Sequence, residues 1–500
     1  MTTGNRAMWK SAALYVLPTI AMLLTAPYVI EMNRILVCGI LFMLAVGLYF
    51  YIVFGVADKN FLDIRAVFHG VWIGTISVAS LKLAEYQEVW QVNTWVCMAL
   101  AYLAFQLGTN LGIMLTARPL VRIRDFITRS RLGKLSFSMT ESRLFWICIF
   151  ATLIGLGCFV INVMIRGYIP CFSDDPTAYL TFYTRLHVFA VAATSVSGLC
   201  YYCIKTQKLG LIKKLILLLC IFYSTFLFPI LVVSRGTFVV SAVSLTVVVF
   251  YLHRKKLWVL VSCLVVIVGV YLLASMLRGY TDAQLKEIFT PATITIQTPQ
   301  GSKATEPGSK ESEPTVPTEP TVTEPSTTKP PVTEPPVTEP PATIEFTLPP
   351  KLAFVYSYLT VSHDNFNEAV ENSVAYFYGI RQLAPFNVIL RSQKLESAIS
   401  NGERYLVREH LNTTNLIGDF YYDFHGWGVF FLMLLWAFVF GIMQQAHQQY
   451  KGIFSLMVLG NAMVPVALCF FATWLSNFSQ WLLWGAILLM AIAATIKVKK

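Results

Sequence analysis

Long runs of apolar residues alternate with short polar segments along most of the chain. A helix that crosses a lipid bilayer needs about 20 consecutive, mostly apolar residues. Runs of about this length occupy positions 11–30, 35–55, 64–84, 93–115, 144–164, 185–204, 214–233, 237–252, 257–277, 426–448, 452–473 and 478–496. The pattern predicts an all-α polytopic membrane protein with twelve transmembrane helices, or eleven, because the eighth run is short and the first two lie close together.

The region 279–425 interrupts this pattern and predicts one large late loop. Residues 1–278 then hold the first nine transmembrane helices, and residues 426–500 hold the last three. Residues 279–350 read as a linker, because 15 of the 23 prolines lie in 291–350 and the triplet Thr-Glu-Pro recurs there. Such a composition cannot bury a core and predicts a disordered, solvated tether.

The second part of the loop, residues 351–425, is rich in tyrosine and phenylalanine. The segment AFVYSYLTVSHDNFNEAVENSVAYFYG predicts one or two amphipathic helices near the membrane surface. One interpretation is a belt of aromatic residues at the lipid interface. The other is a platform for carbohydrate, since the faces of sugars stack on aromatic rings.

The distribution of basic residues predicts the orientation of the spans. Lysine and arginine are in excess in cytoplasmic loops, and with the N-terminus inside most of them lie in the predicted cytoplasmic segments. An even number of spans then places both termini in the cytoplasm. The first run reads as an uncleaved anchor rather than a signal peptide, because a second span follows directly.

The composition excludes several classes of protein. At 56% hydrophobic and 13% charged residues, the chain differs from a soluble domain, which carries about 25% charged residues. The net charge of +11 does not indicate nucleic-acid binding, because the basic residues lie between apolar runs. Neither a nucleotide-binding glycine motif nor a metal-ligand spacing is present. The near absence of carboxylates inside the predicted spans argues against an ion-coupled transporter.

Candidate anion-binding residues lie at the predicted outer ends of the spans. They are Arg166, Arg185, Arg235 and Arg278. A guanidinium stays charged and binds phosphate oxygens with two parallel hydrogen bonds. Arginines that converge at one membrane face would suit a lipid-linked pyrophosphate, whereas isolated ones would reach toward lipid headgroups. Candidate acid–base groups at the same face include His187, adjacent His363 and Asp364, Asp419 and Asp423.

Four segments resemble a known family. They are RGYIPCFSDDPTAYLTFYTRLHVF (166–189), VVSRGTFVVSAVSLTVVVFY (232–251), YFYGIRQLAP (376–385) and NTTNLIGDFYYDFHGWG (412–428). In order and in setting they resemble the bacterial oligosaccharide repeat-unit polymerases, the O-antigen polymerase (Wzy-type) family. Three features depart from the family pattern. Tyr179 stands where the family often has arginine, His425 replaces a glycine, and the Pro/Thr/Glu insert is not expected in the family.

The resemblance implies glycosyl transfer at the outer face of the bacterial cytoplasmic membrane. A glycan on undecaprenyl pyrophosphate would move to a sugar hydroxyl of the next lipid-linked repeat unit, without a metal or a cofactor. It implies a chain-length regulator and a flippase as partners, and no nucleic acid. The expected pyrophosphate ligands are Arg166, Arg235, Arg278 and Arg381. The expected base is His363 or Asp364, with Asp423 as the alternative, and the expected sugar platform is Tyr376, Phe377 and Tyr378.

Three other functions fit parts of the sequence. An O-antigen ligase would share the architecture but transfer the whole glycan to another acceptor. A flippase or exporter of lipid-linked sugars would need a polar cavity across the spans. A membrane acyltransferase would need a histidine-centred site, for which only His363 and Asp364 are suitable.

Overall fold

We describe the chain from a computed structural model, which covers residues 15–25, 34–129, 141–173, 182, 184–253, 255–276, 294–295, 343–344, 350–387, 392–393, 395, 397, 404–408 and 411–495. Helices dominate these residues, so the all-α class is confirmed. The strands in the described residues are β1 (Ile294–Thr295) and β2 (Thr343–Ile344), which form an antiparallel pair. Most of the predicted tether lies outside the described residues.

The helices of the first half are α1 (Tyr15–Thr25), α2 (Arg34–Tyr51), α3 (Ile64–Ala79), α4 (Val92–Arg129), α5 (Glu141–Arg166), α6 (Arg185–Ala193), α7 (Val196–Thr206), α8 (Leu211–Phe222) and α9 (Phe228–Leu231). Those of the second half are α10 (Arg235–Leu252), α11 (Leu257–Met276), α12 (Pro350–Asn372), α13 (Ile380–Leu383), α14 (Gly418–Tyr450), α15 (Ile453–Ala467) and α16 (Phe478–Thr495). The π-helical turns Ile52–Val56 and Tyr223–Leu227 extend α2 and join α8 to α9.

Among the described residues, 7 helical segments are long and apolar enough to cross a membrane. Five shorter apolar helices, of 10–17 residues, occupy the other predicted positions. The membrane-length apolar helices are thus confirmed, while twelve as the number of crossings stays a prediction. At about 1.5 Å per residue, α1, α3 and α15 cover less than the hydrocarbon core of a bilayer, which is about 30 Å thick.

Some predicted boundaries differ from the structure. The third run was expected to reach residue 84, but α3 ends at Ala79 and a turn follows that carries Lys82. The run expected at 426 belongs to α14, which begins at Gly418 and is kinked at Phe424 and His425. The predicted start of this span therefore coincides with a kink, because His425 has a left-handed φ of 51° that breaks the helical geometry.

The closest helix pair in the core is formed by α4 and α14. Gly108 and Gly112 on α4 form a G-x-x-x-G motif, and Gly441 on α14 faces them. A Cβ atom added at any of these glycines would overlap a backbone carbonyl oxygen of the facing helix. The two backbones can approach this closely only without side chains, as in other membrane helix pairs of this type.

Contacts between distant segments define two ends of the helix bundle. At one end Leu416 N donates to Cys469 O over 2.7 Å, and Lys82 pairs with Asp364. We call this the outer end, because the charge pattern predicts that it faces away from the cytoplasm. At the opposite, inner end Asn60 Nδ2 donates to Tyr251 Oη over 2.8 Å.

Candidate functional site

The polar middle of α12 is inserted into the outer end of the bundle. All residues from Thr360 to Asn367 are buried, where α12 contacts α3, α4 and α14. The predicted helix is therefore present, but its middle is buried on every face instead of lying on a surface with one face exposed. The polar side chains tolerate this burial because they find hydrogen-bond partners in the bundle.

His363 is fully buried, with both ring nitrogens in contact with polar groups. Nε2 lies 3.0 Å from Thr75 Oγ1, and Nδ1 lies 3.3 Å from Asn415 Nδ2. Burial, together with the positive charge of Lys82, lowers the pKa of His363 to about 3. The imidazole is thus neutral at physiological pH and is held by its neighbours. Its role as a base stays a prediction, and its contacts favour a structural role.

Asp364 accepts hydrogen bonds from three buried donors. Lys82 Nζ lies 2.6 Å from Oδ1, Trp90 Nε1 lies 2.7 Å from Oδ1, and Gln87 Nε2 lies 2.7 Å from Oδ2. Lys82 is 1% exposed, and burial lowers its pKa to about 8 against the opposing effect of Asp364. The carboxylate therefore joins α12 to the turn after α3, and its role as a base also stays a prediction.

The two late motifs that resemble the polymerase family dock on each other. Phe377 N donates to Tyr422 O, and Tyr378 N donates to Asp423 O, each over 3.1 Å. The Asp423 carboxylate accepts from the backbone N–H groups of Arg381 at 3.1 Å and Gln382 at 3.2 Å. Asp423 thus fixes the start of α13 on the first turns of α14.

Arg381, a predicted pyrophosphate ligand, is buried inside this docked unit. Its guanidinium carbon lies 4.2 Å from the ring centre of Tyr422 and 4.7 Å from that of Phe377. Nη1 lies 3.8 Å from Asp419 Oδ1. Burial lowers the pKa of Arg381, while the carboxylate of Asp419 opposes the shift. The arginine therefore already interacts with one carboxylate and two aromatic rings.

Three aromatic rings and one imidazole form a stack at the edge of the docked unit. The His425 ring lies 4.0 Å from Tyr376 and 4.9 Å from Tyr421, nearly parallel to both. Tyr376 in turn stacks at 5.8 Å with Tyr378, whose side chain is 76% exposed. Two of the three predicted platform residues thus present exposed ring surface, while Phe377 packs inward against Tyr422 and Arg381.

Arg235 begins α10 and lines a cavity of about 490 Å³ at the outer end. Its Nη2 donates to Tyr358 Oη over 2.5 Å, and the guanidinium carbon lies 5.0 Å from the centre of that ring. The helix begins with Ser234, whose Oγ accepts from Thr237 N. A guanidinium at the N-terminus of a helix adds to the positive partial charge of the backbone N–H groups, which favours an anion in the cavity.

Most of the cavity wall beside Arg235 is apolar. Residues from α10, α11, α12 and the end of α15 contribute it: Val239, Ile267, Val268, Val355, Leu359, Leu468, Phe470, Phe471 and Trp474. Asn412 and Thr413 add polar groups from the segment before α14. The cavity therefore combines one cation with a hydrocarbon-like wall.

A second cavity, of about 380 Å³, shares Gly236 and Trp474 with the first. Its lining is more polar and includes Thr184, His187, Ser234, Thr237, Asn477 and Gln480. Hydroxyl and amide groups of this kind fix the orientation of small polar ligands. From the sequence, His187 is one of several candidate acid–base groups, and only the fold brings it beside the cavity of Arg235.

The predicted arginines differ in their positions. Arg166 is the exposed last residue of α5. After Arg166 the chain continues into the turn Pro170–Phe172. This turn contacts α9, the short helix that precedes the segment of Arg235. Arg185 begins α6. Arg278, together with Asp174 and Asp175, lies outside the described residues.

Three carboxylates that the sequence did not single out also meet at the outer end. Glu88, Glu368 and Glu371 have carboxylate oxygens within 4.8 Å of one another. Partial burial and the negative charges of its neighbours raise the pKa of Glu368. The i, i+3 spacing of Glu368 and Glu371 on α12 was visible in the sequence, but the approach of Glu88 requires the tertiary fold.

Comparison of the chain with protein-family models, with characterised proteins and with solved structures gives no match. The function therefore has to be inferred from the residues of the site and their geometry.

Proposed function

We propose that the protein is a polysaccharide polymerase of the bacterial cytoplasmic membrane, which joins oligosaccharide repeat units carried on undecaprenyl pyrophosphate. The observation that carries this proposal is the buried Arg235 at the start of α10, facing a cavity with an otherwise largely apolar wall. The bacterial setting and the outer-face orientation follow from the resemblance and from the charge pattern of the sequence.

The cavity of Arg235 suits the leaving group of this reaction. Departure of a polyprenyl pyrophosphate develops negative charge on phosphate oxygens, which a fixed guanidinium and a helix N-terminus stabilise. The apolar wall, which includes Val239, Ile267 and Leu359, suits the first isoprene units of the lipid. Tyr358 holds the guanidinium in place before the substrate binds.

The polar cavity suits the second substrate. Because it shares Gly236 and Trp474 with the cavity of Arg235, a sugar bound there lies next to the pyrophosphate site. Glycosyl transfer requires this arrangement, since the acceptor hydroxyl must reach the donor carbon as the pyrophosphate departs. In this proposal Tyr376 and Tyr378, which present exposed ring surface beside the docked loop, support the more distant sugars of the glycan.

We assign the acceptance of the hydroxyl proton to His187. It lines the polar cavity, whereas His363 and Asp364 are enclosed by Thr75, Asn415 and Lys82. Asp423 accepts from two backbone N–H groups and in this proposal positions Arg381 and the aromatic loop.

The test is the substitution Arg235→Lys, which retains the charge but loses the planar pair of donors. We expect polymer formation by the purified protein in lipid vesicles, with a lipid-linked repeat unit as substrate, to fall by roughly 10²-fold, the usual effect of removing one preorganised donor. Arg404→Lys, at an exposed arginine of the late loop, is the matched control and should leave the rate unchanged. A fully active Arg235→Lys protein would refute the bidentate role.

The alternatives give different products. A ligase would transfer whole glycans to an added lipid acceptor and would not lengthen the lipid-linked chain. A flippase would move lipid-linked units between leaflets without forming a glycosidic bond. Separation of the products by chain length distinguishes the polymerase from the ligase, and the accessibility of the lipid-linked units in each leaflet identifies a flippase.

A further inference from the structure

Three cavities lie at the two ends of the described helix bundle, two at the outer end and one at the inner end. The one at the inner end is the largest of the three and lies away from the site described above. It measures about 750 Å³, against 490 and 380 Å³ for the two outer cavities. Its wall is built from the turn after α2, the start of α3, and the ends of α10 and α14. A space of this size accommodates a small polar molecule or a lipid headgroup.

The lining of this inner cavity is basic. Arg65, Lys255 and Lys451 contribute three permanent or nearly permanent positive charges, and Asp58 contributes one exposed carboxylate. The ring of buried His447 also lies in the wall, with Nδ1 3.2 Å from Ser455 Oγ. Because Arg65 forms an ion pair with Asp63, Lys255 and Lys451 supply the excess of positive charge over Asp58, which favours an anionic ligand.

Arg65 is held rigidly in the wall. Its Nε and Nη2 donate to the two oxygens of Asp63, each over 2.9 Å, and Nη1 donates to Asn110 Oδ1 over 3.0 Å. Asp63 is held in turn by Gln444 Nε2 at 2.7 Å. The guanidinium has five N–H groups, so two of them have no acceptor among the described residues.

A buried donor lies beside this arginine. Asn110 is 8% exposed, and its Nδ2 has no hydrogen-bond acceptor within the described part of the chain. A buried N–H group without an acceptor is unfavourable. Of the two residues, Arg65 lines the cavity, and its remaining guanidinium N–H groups are donors that suit oxygens of an anion.

The two lysines occupy unusual backbone positions. Lys451, with a φ of 47°, directly follows α14, and Lys255, with a φ of 58°, lies three residues after the end of α10. Glycine or asparagine normally takes such a left-handed position, because a Cβ atom is unfavourable there. Lysine at both positions therefore places charge at the cavity at some conformational cost.

We propose that the inner cavity binds a phosphate group, with Lys255, Lys451 and the remaining N–H groups of Arg65 as its ligands. The source of the phosphate is either the headgroup of an anionic phospholipid at the inner leaflet or a soluble phosphate compound. This site is independent of the proposed polymerase reaction, since its residues lie at the opposite end of the helix bundle.

The test compares binding by the full-length protein and by Lys255→Gly/Lys451→Gly. Glycine keeps the left-handed turns and removes the charge, so folding should be preserved, and thermal unfolding checks this. Phosphatidylglycerol affinity is measured in phosphatidylcholine nanodiscs by native mass spectrometry. We expect a loss of about fivefold per lysine, or about 30-fold for both, from the usual contribution of a basic residue to anionic lipid binding.

Two further variants serve as controls. Lys255→Arg/Lys451→Arg keeps the charge and should retain the lipid. Lys205→Gln/Lys208→Gln removes two exposed charges that do not line the cavity and should behave as the wild type. Inorganic phosphate, titrated in nanodiscs of phosphatidylcholine alone, is the second arm.

The outcomes separate the sources. Lipid binding that depends on Lys255 and Lys451 supports a headgroup site. Phosphate binding with the same dependence, but without lipid binding, supports the site with a soluble ligand. If the glycine variant binds both probes as the control variant does, the lysines only neutralise the helix ends and the proposal is overturned.

Discussion

Replacement of Lys82 by methionine is expected to be among the most destabilising single changes at the outer end. The substitution leaves the buried carboxylate of Asp364 with Trp90 and Gln87 as its remaining donors. Both are neutral, so the negative charge is no longer compensated. Breaking a buried ion pair from one side usually destabilises a fold by about 3–5 kcal/mol, and the 1% and 2% exposure of the two side chains places this pair in that range.

The double variant Lys82→Met/Asp364→Asn should recover most of this loss. An amide oxygen at position 364 can still accept from Trp90, and neither charge then has to be buried. Removal of both members of a buried pair is often neutral or stabilising by about 1–4 kcal/mol. A cycle of the two single variants and the double variant, measured by reversible unfolding in detergent, gives the coupling free energy directly.

The pH dependence provides a second measurement on the same pair. Burial lowers the pKa of Lys82 from 10.5 to about 8, so the unfolded chain binds more protons between these values. Stability should therefore rise with pH across this window, by up to about 3 kcal/mol at 1.36 kcal/mol per pKa unit. Lys82→Met should lack this rise. If the single and double variants are equally unstable, and the pH slopes of wild type and Lys82→Met coincide, the reasoning is refuted.

Two further predictions concern packing and charge. Gly112→Ala should destabilise the fold at the α4–α14 contact by about 1–3 kcal/mol, because the added Cβ overlaps Phe438 O. Gly47→Ala, where the added Cβ meets open space, should be neutral or stabilising by up to about 1 kcal/mol. Equal melting temperatures for the two variants would contradict this packing. Glu368→Gln should stabilise the fold by about 0.2–0.5 kcal/mol at neutral pH. Since the pKa of Glu368 is raised, this gain should shrink as pH falls and the carboxyl group becomes protonated; a gain that stays constant down to acidic pH would argue against charge repulsion.

The helices were predictable because membrane-length apolar runs are a strong local signal. The burial of α12 was not, because the partners of Asp364 lie on a turn far away in the chain: Lys82 is 282 residues from it. Arg65 illustrates the same limit. The charge pattern predicts that Arg65 is a cytoplasmic basic residue. Its pairing with Asp63 is local, two residues away, but its contact with Asn110 depends on the approach of α3 and α4.

Some residues of the candidate site could be identified from the sequence alone, but their surroundings could not. Arg235 was notable as a basic residue at the outer start of a span, and its helix-start position is confirmed. The cavity beside it was not predictable, since its wall combines α10, α11, α12 and the segment after α15. The resemblance assigned both late motifs to one outer loop but did not predict that YFYGIRQLAP docks on the start of α14, because main-chain hydrogen bonds such as Tyr378 N to Asp423 O leave no pattern in the sequence.

The backbone contact between α4 and α14 has a mechanical consequence. Beyond the kink at Phe424 and His425, residues 426–450 of α14 form a helical rod of about 38 Å, at about 1.5 Å per residue, with His447 near its inner tip. Because glycines hold its middle against α4 without intervening side chains, this rod has a pivot. A tilt of this rod about the pivot moves Gly426 and His447 in opposite directions.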